Sequence, residues 1–194
     1  DDPEINNKLH ELIDKTTALE SKHASVWWKA AALSTQLGDK KQAIQYYDEA
    51  LKHDHFNTIL YELIISLKVN LALEENDESY AISAIDDFEK MTRQNKQFEQ
   101  KSLSAAHNSR DFHITNEIYY QASLAYYLLE QYDNIITIFE DQIENLASET
   151  KMSAITILAY EKLGEQVKAN ELNNTDKTDE LSNYVNNLKN TFGN

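Results

Sequence analysis

The chain has 194 residues, with 18 basic and 33 acidic side chains and a formal net charge of −15; so acidic a surface repels phosphate and argues against nucleic acid and anionic membrane as partners. Apolar residues make up 41%, enough for a sizeable core, and the absence of cysteine excludes disulfides, thiol chemistry and cysteine-ligated zinc. Three scattered glycines (Gly38, Gly164, Gly193) and one proline supply neither a phosphate-cradling loop nor the turns of a sandwich or barrel, so an all-α chain is expected. No stretch approaches the roughly 18 apolar residues of a membrane span. The most apolar one, 59–65, is short and carries Glu62, so no direct membrane insertion is expected. The chain opens on Asp1-Asp2-Pro3 and not on methionine. That leaves room for a signal peptide, anchor, further domain or tag upstream, and leaves the compartment open.

Residues 5–20, with Leu9, Leu12, Ile13, Ala18 and Leu19 at helical spacing, predict a helix capping the front of the chain. A helical hairpin follows. Val26, Trp27, Ala30, Ala31 and Leu37 recur at helical spacing, and Leu37-Gly38-Asp39 turns the chain, with Gly38 expected in the left-handed conformation. Ala43, Tyr47, Ala50 and Leu51 form the stripe of the returning helix. The small side chains at Ala43 and Ala50 let two backbones approach, with Trp27 and Tyr47 filling the wider gaps beside them. Residues 58–73 predict one helix and 80–93 its partner, with Ala84, Ile85 and Phe88 facing inward and an acidic turn at 74–78 between them. Residues 96–107 suggest an extra short helix and 108–114 a polar connector. Tyr119, Tyr126, Leu129 and Glu130 are then followed, 34 positions later, by Ser153, Tyr160, Leu163 and Gly164. In the same frame Ala43, Ile135 and Ala169 stand five residues beyond each turn position, and Tyr47, Phe139 and Asn173 four beyond those. The stripe is lost over 171–179, and 181–188 is expected to cap the back.

The stretch Trp27…Leu37-Gly38-Asp39…Ala43-Ile44…Tyr47…Ala50-Leu51 resembles a divergent tetratricopeptide repeat, a family with two helices in a period of about 34 residues. The resemblance implies one all-α domain over 1–194, a right-handed superhelix of antiparallel helix pairs (a TPR-like α-solenoid). Its expected parts are an N-terminal cap (1–23), a repeat (24–57), a degenerate repeat with an insertion (58–115), two repeats (116–149 and 150–183) and a C-terminal cap or tail (184–194). Packing positions are then Trp27, Gly38, Ala43, Tyr47, Ala50, Tyr119, Tyr126, Phe139, Tyr160, Gly164 and Ala169. Two departures from the family pattern stand out. Glu130 replaces the turn glycine, and His55 and Ala147 occupy the place of the closing proline, so helix ends are expected to run on.

By the same resemblance, residues beside the packing positions of each first helix face a ligand in a concave groove. These are Ser25, Trp28, Ala32, Thr35 and Gln36 in the first copy. The second copy supplies Glu117, Tyr120, Leu124, Tyr127 and Leu128, and the third Lys151, Ala154, Leu158, Glu161 and Lys162. The rival fate of the groove aromatics is burial under the 58–115 segment or a neighbouring helix. The lysine–asparagine clamp with which chaperone-tail receptors of this family hold a carboxylate is missing, since Trp28, Ala32, Tyr120 and Leu124 stand in its places.

No enzyme signature emerges. His53-Asp54-His55 fits an exposed helix end, where histidine complements the dipole. His107 and His113 flank Arg110 and Asp111 in the polar connector. His10-Glu11 begins like a zinc-protease helix, but Asp14 stands where the second histidine is needed. No serine is bracketed by glycines, and 74–78 lacks the glycine and alternating ligands of a calcium loop. Asn173-Asn174-Thr175 is a glycosylation sequon. No catalytic residue, metal or cofactor is therefore assigned. The expected function is a non-enzymatic scaffold binding a basic or apolar peptide or protein segment, with Trp28, Gln36, Glu117, Tyr120, Leu124, Tyr127, Leu128 and Leu158 lining the groove. The alternatives are a peptide-sensing regulatory domain, disfavoured because no asparagine falls at these positions, and an accessory domain of a membrane-anchored or envelope assembly complex.

Overall fold

The computed structural model of the chain describes residues 3–17, 22–102, 114–146, 149–174 and 179–193. Of these described residues 86% are helical and none forms a strand, so the chain is all-α. In chain order the helices are α1 (Pro3–Thr17), α2 (Ala24–Gln36), α3 (Lys40–His53), α4 (Thr58–Glu75), α5 (Glu78–Ser102) and α6 (Asn116–Leu128). They continue with α7 (Tyr132–Asp141), the single turn α8 (Ile143–Leu146), α9 (Thr150–Lys162), α10 (Gln166–Asn173) and α11 (Asp179–Phe192).

Three hairpin turns share one hydrogen-bond pattern. Between α2 and α3 the N–H of Gly38 donates to the Thr35 carbonyl (3.0 Å) and that of Asp39 to Ser34 (2.9 Å). Between α6 and α7, Glu130 donates to Tyr127 (3.1 Å) and Gln131 to Tyr126 (2.9 Å). Between α9 and α10, Gly164 donates to Glu161 (3.1 Å) and Glu165 to Tyr160 (2.9 Å). This is the Schellman ending, which requires a left-handed residue just past the helix. Gly38, Glu130 and Gly164 accordingly have φ of +80°, +57° and +77°. The α4–α5 turn is a looser relative, with Asn76 at φ +51° and the Asp77 N–H donating to Ala72 at 3.3 Å. Helix starts are capped where the sequence offers a short polar side chain. Asp39 accepts from the Gln42 N–H, Asn57 from Ile59 and Leu60, and Thr115 from Ile118.

The helices pack neighbour on neighbour. The hairpins α2–α3, α4–α5, α6–α7 and α9–α10 close on themselves, and α3–α4, α5–α6, α4–α6, α6–α9 and α7–α9 join them. The expected packing residues are inside: Ala43, Tyr47, Ala50, Tyr126, Phe139, Tyr160 and Ala169 are buried, while Trp27 and Tyr119 pack partly buried against the core. Helix α4 is buried over most of its surface, from Leu60 and Tyr61 through Ile64, Ile65 and Val69 to Ala72, and a narrow stripe through Ile59, Ser66 and Asn70 reaches solvent. Even its Lys68 is enclosed, paired with Asp87 of α5 at 2.5 Å. Tyr61 donates to Gln94 at 3.1 Å, and burial, with Asp87 adding to it, raises its phenol to about 12.

Several expectations need correction. The 74–78 segment is not a loop: Glu74 and Glu75 form the last turn of α4, where they pair with Lys40 and Lys41, and the turn itself is Asn76-Asp77. Residues 96–107 do not begin a separate helix, because α5 continues without a break to Ser102; His107 and most of the 108–114 connector lie outside the described residues. Where proline is missing in the first copy the helix does not run on, since α3 ends at His53, before His55; in the second copy α7 ends at Asp141 but the single turn α8 carries helix on to Leu146. In the front helix Ile13 is buried but Leu12 is half exposed, and Ala18 and Leu19 lie outside the described residues. Thr175 of the sequon and Ala147 lie outside them too.

Candidate functional site

The second-copy and third-copy groove residues do come together, on the face shared by α6 and α9, but that face is largely covered. Leu124, Tyr127 and Leu158 are only 6%, 4% and 1% exposed. They belong to the core, although Tyr127 and Leu158 also reach the wall of a cleft of about 300 Å³ beside Glu161, Lys162 and Lys189; Ala154 is fully buried. The 58–115 segment, as α4 and α5, packs on α6, and a further cover lies over α9. Helix α11 lies along α9 and presents Leu181, Tyr184, Val185, Leu188 and Phe192, spaced i, i+3, i+4, i+7 and i+11, of which Leu181, Val185 and Leu188 are buried. The Phe192 ring sits 4.4 Å from that of Tyr127, and Lys189 pairs with Glu161 at 2.9 Å. The reason α9 needs such a cover is written in it: Met152 through Tyr160 are all buried, so the helix has no solvent face over that stretch.

A second opening on this face is a polar pocket of about 230 Å³ where α6, α9 and the start of α11 meet, with Glu117, Tyr120, Glu149, Lys151, Glu180 and Tyr184 in its wall. Glu117 accepts from Lys151 at 3.0 Å and from Gln121 at 2.8 Å, and Glu149 accepts from Asn116 at 2.8 Å. The Lys151 ammonium also lies 5.3 Å from the Tyr120 ring centroid, a cation–π distance. Its bond to Glu117 shifts the Lys151 pKa upward, holding it charged. Burial, then the nearby Glu117 charge and Tyr184, push the Tyr120 phenol up to about 12, so it stays a neutral donor. Three carboxylates against one ammonium leave the pocket negative. Such a wall can receive an ammonium or guanidinium between carboxylate and tyrosine faces.

Of the remaining sequence candidates, Leu128 is half buried at the C-terminal end of α6, away from the pocket at the start of that helix. Trp28 (half buried) and Gln36 (exposed) sit on α2, which packs on α1 and α3, and the structure does not bring them to the α6–α9 face. Glu149, Glu180 and Tyr184 were missed from the sequence. A charge signal pointed to this region: no lysine or arginine falls between Arg110 and Lys151. His53 and His55 are exposed, Asp54 is held by Asn57 at 3.0 Å, and His55 stacks at 4.3 Å on Phe56. Among the described residues no three histidine, aspartate or glutamate side chains gather as a metal site, and no helix is long and apolar enough to cross a membrane. The side chain of His10, and His107 and His113 entirely, lie outside the described residues. No protein-family profile, curated protein or solved structure matches the chain.

Proposed function

We propose that the chain is a divergent tetratricopeptide-like superhelical scaffold, without enzymatic activity, that binds a segment of a partner protein at the α6–α9 face. A basic side chain of the partner enters the pocket between Glu117, Glu149 and Glu180. The observation that carries this reading is the pocket itself, in which carboxylates and two tyrosines converge and Lys151 already shows how an ammonium sits over Tyr120. The 34-residue recurrence of the turns supports the repeat assignment, and the net charge of −15 favours encounter with basic partners. Aromatic walls supply the anchoring area.

Selection of a random dodecapeptide library on the full chain tests the reading. Peptides containing lysine or arginine are expected to be enriched and to bind Glu117→Gln/Glu149→Gln/Glu180→Gln at least about tenfold more weakly than the wild type. Equal binding by the two chains would remove the pocket from the function.

A further inference from the structure

The pocket where α6, α9 and α11 begin is walled by two carboxylate–tyrosine pairs. Glu117 and Tyr120 stand three residues apart on α6, and Glu180 and Tyr184 four apart on α11, spacings that put carboxylate and ring on one helix face. The first pair is filled from within the chain. The Lys151 ammonium bonds Glu117 at 3.0 Å and lies 5.3 Å from the Tyr120 ring centroid. The second pair is open: among the described residues Glu180 has no hydrogen bond or ion pair, and no cation stands over the Tyr184 ring. Glu149 adds one carboxylate oxygen, its other oxygen accepting from Asn116 at 2.8 Å. The cavity of about 230 Å³ is what remains with Lys151 in place, so a side chain enters without displacing it.

Resting on the basic-partner reading above, we infer that the pocket selects arginine over lysine. The guanidinium seats on Glu180 and Tyr184 and reaches the free oxygen of Glu149, and Lys151 is the residue that sets the preference. An incoming ammonium offers Glu117 and Tyr120 the same bond and ring contact that Lys151 already makes. Because Lys151 is tethered at the site, the newcomer gains nothing by replacing it. Left with the second pair, an ammonium shares the pocket with a fixed positive charge. A guanidinium is planar, carries five donors and is more weakly hydrated, so it loses less on entering. It can lie flat on a tyrosine ring while its edges bond carboxylates on two elements. Glu149 and Glu180 are placed that way, one just ahead of α9 and the other in the first turn of α11.

The probes are the amides of N-acetyl-arginine, N-acetyl-lysine and N-acetyl-trimethyl-lysine. Each is titrated into the isotope-labelled full chain and read by NMR at the backbone amides of Tyr120 and Tyr184. The arginine derivative is expected to bind wild type about tenfold or more tighter than the lysine one. Lys151→Met is expected to shrink that ratio to about twofold or less, by admitting lysine to Glu117 and Tyr120. Glu180 is exposed, and Glu180→Gln is expected to leave melting unchanged while weakening the arginine derivative about tenfold. Equal binding of arginine and lysine by wild type, a ratio unchanged in Lys151→Met, or undiminished binding by Glu180→Gln would overturn the inference. Tighter binding of trimethyl-lysine than of arginine would do so too, since ring faces and not carboxylate oxygens would then select. If lysine and arginine bind the pocket alike, the selectivity alone falls and the basic-partner reading stands; if neither shifts Tyr120 or Tyr184, both fall.

Discussion

Glu130 and Gly164, 34 residues apart, close the same kind of turn with the same two backbone hydrogen bonds, at φ of +57° and +77°. A side chain with a β-carbon is strained in that conformation by roughly 1–2 kcal/mol. Glu130→Gly is therefore expected to stabilise the fold by about 1 kcal/mol, after the extra chain entropy of glycine is counted. Thermal melting should rise by roughly 2–4 °C for a chain of this size. The reverse change, Gly164→Ala, is expected to cost about 1 kcal/mol through the backbone alone, because nothing lies within 4 Å of the added β-carbon. An unchanged melting temperature in both would contradict the turn geometry.

Ala43 and Ala50 are fully buried on the α3 stripe. Ala43→Leu is expected to overpack this seam and destabilise the fold by roughly 1–3 kcal/mol, measured as a lower midpoint in urea with an unchanged slope. A midpoint equal to wild type would mean that α3 stands further from its neighbours than described.

Lys68 and Asp87 form the most enclosed ion pair described here, with side chains 11% and 16% exposed. Lys68→Ala leaves Asp87 uncompensated in an enclosed site and is expected to cost about 3–5 kcal/mol. Replacing both, as Lys68→Met/Asp87→Leu, is expected to cost less, because Asp87 is no longer stranded and the nearby Asp48 loses a repelling charge along with an attracting one. A chemical denaturation series on the two variants separates the outcomes.

Asp48 lies near the same pair, and its pKa is raised, first by desolvation, with Lys68 opposing and Asp87 adding to the shift. A carboxyl whose pKa is higher in the folded than in the unfolded chain binds more protons when folded. It favours folding at pH below its unfolded value, and that contribution is lost as pH rises through the folded value. Asp48→Asn is therefore expected to melt higher than wild type at pH 7, with the difference closing as pH falls below the ordinary carboxylate range. A difference that widens towards acid would reverse the sign of the argument.

In the pocket, Lys151 competes with any incoming cation for Glu117. Lys151→Met is expected to tighten binding of the library-selected basic peptides about fivefold and to steepen the loss of affinity with added salt. Isothermal titration at two ionic strengths measures both, and weaker binding would show that Lys151 serves the site and does not rival its ligand.

The sequence was most legible where a single residue imposes local geometry. Gly38 and Gly164 mark turns because glycine takes positive φ without strain, and Ala43 and Ala50, both fully buried, mark a seam of small side chains between helices. Glu74 and Glu75 misled for the opposite reason: a run of acidic residues resembles a solvated loop, yet glutamate is a good helix former, and Lys40 and Lys41 meet it. The same propensity carries α5 through Gln97 and Gln100, where no breaker exists to end it. The covered face was legible only in part. Leu124, Tyr127 and Leu158 fit the free side of two-faced helices, whereas 152–160, with no charged residue and only the small polar Ser153 and Thr156 among apolar ones, describes a helix with no free side. The heptad-like stripe of Leu181, Val185 and Leu188 was visible, but no local signal says which helix will receive it.

Every extensive helix contact among the described residues joins elements no more than three apart in chain order. In such a nearest-neighbour arrangement cooperativity is transmitted link by link, and each terminal unit has a neighbour on one side alone. The largely buried α4, which touches α3, α5 and α6, and its hairpin partner α5, which also touches α6, are then the coupling elements between the two halves of the chain. Damage there splits one melting transition into two, while damage at either end shortens the cooperative unit without dividing it.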